Sequence, residues 1–209
     1  MSLRADLKSI AQRIPEGARI LDVGCGDGAL MAWLEANKAC DARGIELSRD
    51  GVNECLEKGL SVVQGDADMD LDNYPSDAFD VAVLSKTVQA TRSPSAVLNN
   101  LLRIAPRAIV SFPNFGYWRV RLHLLLNGRM PVTETLPVSW HETPNIHLCT
   151  VHDFASLVDE LGLSIAEVFE PGKDRPGAGP TLSWFNVRAR EAVFDLKRRA
   201  GVVTSPNRG

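Results

Sequence analysis

The residues of this chain best suited to chemistry lie in one stretch, Leu21-Asp22-Val23-Gly24-Cys25-Gly26-Asp27-Gly28. Its three alternate glycines permit positive φ and let a ligand come close to the backbone. Gly24-x-Gly26-x-x-Ala29 also satisfies the dinucleotide fingerprint G-x-G-x-x-G/A, a weak signal by itself. Asp22 and Asp27 argue against a phosphate ligand. A like-charge contact at about 4 Å costs about 4 kcal/mol at an effective dielectric near 20. S-adenosylmethionine (SAM) reverses that sign, because it carries a sulfonium and an ammonium and no phosphate. Asp-x-Gly-x-Gly-x-Gly therefore suits SAM better than NAD, and a purely structural turn is the remaining reading.

Two further acidic positions fit the same ligand. Glu46, followed by Leu47, lies downstream of Asp22 near the offset at which an acid takes ribose hydroxyls in such folds. One carboxylate can accept from both hydroxyls at once. Gly65-Asp66-Ala67-Asp68 is an acidic turn suited to adenine, with Asp66 accepting from the exocyclic amine and a backbone N–H facing a ring nitrogen. Ser85 begins the segment Ser85–Gln89, which passes the expected place of a transferable methyl group. The cofactor contacts expected are Asp22, Gly24, Cys25, Gly26, Gly28, Glu46, Leu47, Asp66, Ala67 and Ser85. No catalytic residue can be assigned, and no metal is expected, because the four histidines and four cysteines have no ligand spacing.

These residues need an alternating scaffold to position them. Leu3, Leu7, Ile10, Ala11 and Ile14 share a helical face, so residues 2–14 read as an amphipathic helix. Strands are expected over 18–23, 42–47, 60–64, 79–84 and 108–112. Helices follow the glycine turn, Ser48 as N-cap, and Ser93-Pro94. Such alternation implies a parallel sheet with helices on both faces. Residues 113–149 form a proline-punctuated insertion with a helix near Trp118–Leu126. Thr150-x-x-Asp153 caps the last main helix. Residues 164–170 and 181–190 read as an antiparallel edge pair joined by Pro171–Pro180, with a short helix over 191–199. One domain over 1–200 and a flexible tail over 201–209 complete the expectation.

The 209 residues carry a net charge of −3, with 44% hydrophobic and 23% charged residues. That balance disfavours a general nucleic-acid binder. No apolar run has the length of a membrane span, and cysteines without C-x-x-C spacing suit reduced thiols in the cytoplasm.

The order of motifs resembles a class I SAM-dependent methyltransferase, a Rossmann-like α/β fold. Its seven-stranded, mostly parallel sheet has an antiparallel edge pair, helices on both faces and here an insertion after the fifth strand. More narrowly, several strings resemble the methionine biosynthesis protein W (MetW) family. They include Gln64–Asp68, Gln89-Ala90-Thr91-Arg92, Ser111–Gly116, Trp118-Arg119-Val120-Arg121, Gly128–Thr133 and Thr143–His147. Lys86-Thr87-Val88 and Trp140-His141-Glu142 depart from the expected Gln-Thr-Leu and Trp-Tyr-Asp. The resemblance implies a role in methionine biosynthesis beside a homoserine O-acyltransferase, with SAM or S-adenosylhomocysteine (SAH) bound. The alternative is a working methyltransferase on a small molecule.

Overall fold

The computed structural model describes residues 3–133, 135–173 and 181–199. In chain order the elements are α1 (Ala5–Arg13), β1 (Arg19–Val23), α2 (Ala29–Lys38), β2 (Asp41–Glu46), α3 (Arg49–Glu57) and β3 (Ser61–Gln64). There follow α4 (Ala67–Asp70), β4 (Val81–Ser85), α5 (Pro94–Ile104), β5 (Arg107–Pro113) and α6 (Trp118–Asn127). The chain continues through α7 (Val151–Glu160), β6 (Leu163–Phe169), α8 (Thr181–Arg188) and β7 (Glu191–Arg198). The strand order is β3-β2-β1-β4-β5-β7-β6. The first five strands pair in parallel, and β7 runs antiparallel to both β5 and β6.

Alternation along the central strands divides the core into two layers. Leu21, Leu84, Val110, Phe112 and Phe194 face Leu98 and Leu101 of α5 and Phe154 of α7. Ile20, Val83, Ile109 and Val193 face Ile10 and Ile14 of α1 and Leu30 and Leu34 of α2. None of the helices among the described residues is long and apolar enough to cross a membrane.

Three local expectations are corrected. The segment 181–190, expected to be a strand, holds helix α8, and 191–199, expected to be a helix, holds strand β7. Strand β7 lies between β5 and β6 and is buried on both faces, with Ala192, Phe194 and Leu196 in one core layer and Val193 in the other. Two acids, Glu191 and Asp195, lie within this buried strand. Asp195 receives a bidentate pair from Arg107 of β5, at 2.9 and 2.6 Å, and Glu191 pairs with Lys86.

Ser93 stands at the N-cap of α5 with Pro94 opening the helix, as expected, but its side chain makes no capping hydrogen bond. Asp68 instead ties down the backbone just before the helix, accepting from the N–H groups of Arg92 at 2.8 Å and Ser93 at 2.9 Å. The acidic turn at 66–70 is itself the single-turn helix α4, capped by Asp66. The expected Pro171–Pro180 turn falls largely outside the described residues, as does the expected tail over 201–209. The capping box at Thr150 and Asp153 is present, and Ser48 caps α3.

In the 113–149 block the described residues beyond α6 form neither helix nor strand. The block is moored to the loop after β4. Ile146 and His147 both donate their N–H groups to the Gln89 carbonyl at 2.9 Å, and the Gln89 amide donates to the Pro113 carbonyl at 3.2 Å.

Candidate functional site

The strand order reverses at β1, which lies between β2 and β4, and the crevice beyond the carboxyl ends at such a point is where open α/β sheets place ligands. The glycine turn fills it. Gly24 and Cys25 donate to the Ile45 carbonyl, hooking the turn over the end of β2. Gly24 has φ of +71°, and a Cβ built there would lie 2.5 Å from Thr87 Oγ1. The loop after β4 therefore packs directly on the turn, and only glycine fits. Over Gly26, at φ +56°, nothing lies within 4 Å of such a Cβ, so the turn opens outward there. Gly28 ends the turn as the left-handed N-cap of α2.

Glu46 closes one side. Its Oε2 accepts from Gly26 N–H and its Oε1 from Ser48 N–H, each at 2.8 Å. Each carboxylate oxygen has two lone pairs, so each can accept once more. Leu47 stands exposed beside it.

Asp22 lies under the turn at only 3% exposure, and no hydrogen bond reaches its carboxylate among the described residues. Burial, reinforced by the negative Glu46, raises its pKa to about 7. Asp27 behaves in the opposite way. It pairs with Lys58 at 2.9 Å and accepts from Ala29 N–H, and these contacts hold its carboxyl below the ordinary range. Of these two acids, Asp27 is neutralised by Lys58, whereas Asp22, at the end of β1, has no ion pair among the described residues.

The other expected positions divide. Asp66 accepts from Asp68 N–H while its own N–H donates to Asp70 Oδ2 at 2.7 Å, and Ala67 begins α4. Both sit beyond β3, the strand next to β2, on the same edge of the sheet as Glu46. The Cys25 side chain is buried in the core instead, 3.9 Å from Cys55, and only its backbone belongs to the turn. Ser85 Oγ lies 3.2 Å from Ser111 Oγ and 3.5 Å from Asp6 Oδ2.

That last contact belongs to a charged cluster missed in the sequence. Lys86 sits 3.5 Å from Asp6 and 3.2 Å from Glu191, and Arg4 reaches Asp6 at 3.1 Å. Burial opposes ionisation of Asp6, but Lys86 and Arg4 outweigh it and hold its carboxyl below the usual range. For Glu191 burial wins over Lys86, and its carboxyl is raised. One signal was available: Asp6 precedes Ile10 by one helical repeat and so shares the buried face of α1. The positive φ of Lys86 had none.

The fold is that of the class I SAM-dependent methyltransferases. A SAM-dependent methyltransferase from Mesorhizobium loti superposes with a TM-score of 0.67 at 20% identity, over 93% of this chain and 98% of that one. The cyclase SpnF superposes at 0.65 and 16% identity, over 93% and 81%, so the same architecture is similar to a protein named for other chemistry. Within the class, the chain belongs to the MetW family, methionine biosynthesis protein MetW, whose sequence model matches residues 4–196. It is 32% identical over 176 residues to the bifunctional methionine biosynthesis protein MetXA/MetW of Rhodopirellula baltica, across 80% of this chain and 28% of that protein. A fatty-acid O-methyltransferase of Mycolicibacterium smegmatis is 38% identical over 78 residues, 35% of this chain and 28% of that one. The chain thus spans less than a third of the length of either curated relative.

Proposed function

We propose that this chain binds SAM or SAH at the glycine turn and acts in methionine biosynthesis with a homoserine O-acyltransferase, for which the 113–149 block is the docking surface. The residues fit the cofactor. The open space over Gly26 admits its methionine portion, and Asp22, buried without a hydrogen-bond partner among the described residues, offers a counter-charge to its ammonium. Glu46, already oriented by two backbone N–H groups, keeps a lone pair on each oxygen for the ribose hydroxyls. Leu47, Asp66 and Ala67 flank the adenine side, and Ser85 stands toward the methyl end. When bound as SAM, the cofactor carries an electrophilic methyl group. NAD is disfavoured by the same Asp22, which would face its pyrophosphate.

The partner rests on one observation. A relative at 32% identity has MetXA and MetW joined in its name as one bifunctional protein, which supports joint action of this chain with a separate acyltransferase. The surface itself is suited to docking, because Trp118, Leu122, Leu125 and Leu126 recur at helical spacing on α6 and are all exposed. The test is co-purification of the chain with a homoserine O-acyltransferase, with and without SAM.

The second reading, a methyltransferase on a small molecule, is favoured by the Mycolicibacterium relative. Under it the block is a substrate lid. Transfer of label from methyl-labelled SAM to a metabolite pool distinguishes it from the first.

A further inference from the structure

The 113–149 block and Lys86 line a cavity of about 280 Å³ that the docking reading leaves unassigned. Small-molecule sites begin at about 300 Å³, so the cavity suits a compact ligand. Its walls are apolar, with Phe115, Leu136, Val138, Trp140 and Ile146 among them and several prolines between. Among its described lining residues the one charged side chain is Lys86.

The cluster behind Lys86 decides which charge the cavity presents. Asp6 and Glu191 are both buried and do not line the cavity, and Asp6 is further neutralised by Arg4. Lys86 contacts them at 3.5 and 3.2 Å, longer than the 2.7–2.9 Å of strong charge-assisted bonds. An ammonium has three donors, and the described partners occupy two of them. The backbone fixes where the side chain leaves the loop. Lys86 adopts a left-handed φ of +57°, with its N–H donated to the Ser111 carbonyl at 2.9 Å. The next residue, Thr87, packs on Gly24, so cavity and glycine turn share one loop.

We propose that this cavity is a binding site for a small carboxylic acid with an apolar body, its carboxylate on Lys86 Nζ and its chain against Trp140, Leu136 and Ile146. The site lies beside the cofactor crevice and does not depend on the acyltransferase. Its occupancy requires neither SAM nor a partner.

The test uses three probes of matched chain length, octanoate, octanol and octylamine, titrated into the full chain. Binding is read from the Trp140 indole N–H resonance in nitrogen-correlated spectra. Octanoate should bind at least tenfold more tightly than octanol, and octylamine least of all. In Lys86→Met the advantage of octanoate over octanol should vanish, while octanol binding stays within about twofold. Equal binding of octanoate and octanol to the unaltered protein would overturn the proposal. So would tightest binding of octylamine, which would assign the charge of the site to Asp6 and Glu191. The three-probe comparison needs no variant, so it stands even if Lys86→Met folds poorly.

Discussion

Gly26 donates its backbone N–H to Glu46 Oε2 at 2.8 Å, which makes the glycine turn and the end of β2 one hydrogen-bonded unit. The residue proposed to read the ribose is thus also the residue that sets the height of the turn. Ser48 N–H holds the other oxygen, so the carboxylate has little freedom left to lose when a ligand arrives.

Glu46→Gln should therefore weaken SAM by roughly tenfold or more, since hydrogen bonds to a charged partner are worth about 1.5–3 kcal/mol. The amide replaces one acceptor with a donor that faces another donor. Calorimetric titration with SAM checks this, with circular dichroism to verify folding. Unchanged affinity would remove Glu46 from the site.

Asp22 predicts two pH effects. Its folded pKa, raised to about 7, means that the neutral form favours the folded state. That contribution is complete below its ordinary value of 3.8 and is lost as pH rises through about 7. Asp22→Asn should match the unaltered protein near pH 4 and exceed it at about pH 8 by about 2–4 kcal/mol, read from urea denaturation. An ammonium seated on Asp22 favours its ionised form. SAM affinity of the unaltered protein should thus fall as pH drops through about 7, and the variant should bind more weakly without that slope.

Two glycines separate folding from binding. In Gly24→Ala the new methyl meets Thr87 at 2.5 Å, so stability should fall by more than the roughly 1–2 kcal/mol of a left-handed alanine alone. Gly26→Ala meets nothing, so it should cost only that backbone strain while its methyl projects into the ligand space. Thermal melts with SAM titrations should find the first variant unstable and the second stable but impaired in binding.

On α6, Leu125 and Leu126 are 80% and 71% exposed, so charge there should leave the fold intact. Leu125→Glu with Leu126→Glu should weaken the acyltransferase complex by about 2 kcal/mol or more and leave SAM affinity unchanged. Sedimentation of mixtures measures the first and calorimetry the second. Arg121 is a poorer choice, because its guanidinium donates to the Gly116 carbonyl at 2.6 Å and anchors the start of the helix.

Much of this was legible in the chain. Short apolar runs alternating with helical periodicity placed β1 to β5 and α2, α3 and α5, because a buried parallel sheet leaves that pattern directly. The C-terminal pair was not legible. Glu191 and Asp195 sit in a buried strand because Lys86 and Arg107, distant in sequence, neutralise them. Local composition carries no trace of such partners. The same limit applies at the site. Spacing singled out Glu46 and the glycines, which the fold brings together at the end of β2, whereas the pairing of Asp27 with Lys58 is revealed only by the fold. Trp118 and Trp140 are both exposed, which composition alone does not show for residues of this size.

Joint action with an acyltransferase through the 113–149 block is the central claim, and one measurement meets it directly. Purified homoserine O-acyltransferase is mixed with the unaltered chain, with and without excess SAH, and the mixture is resolved by size with light-scattering detection. A mass equal to a defined complex of the two proteins, lost when Leu125 and Leu126 are both replaced by Glu, is the predicted result. Two separate peaks with their individual masses under both conditions would contradict it and leave the small-molecule methyltransferase as the better account.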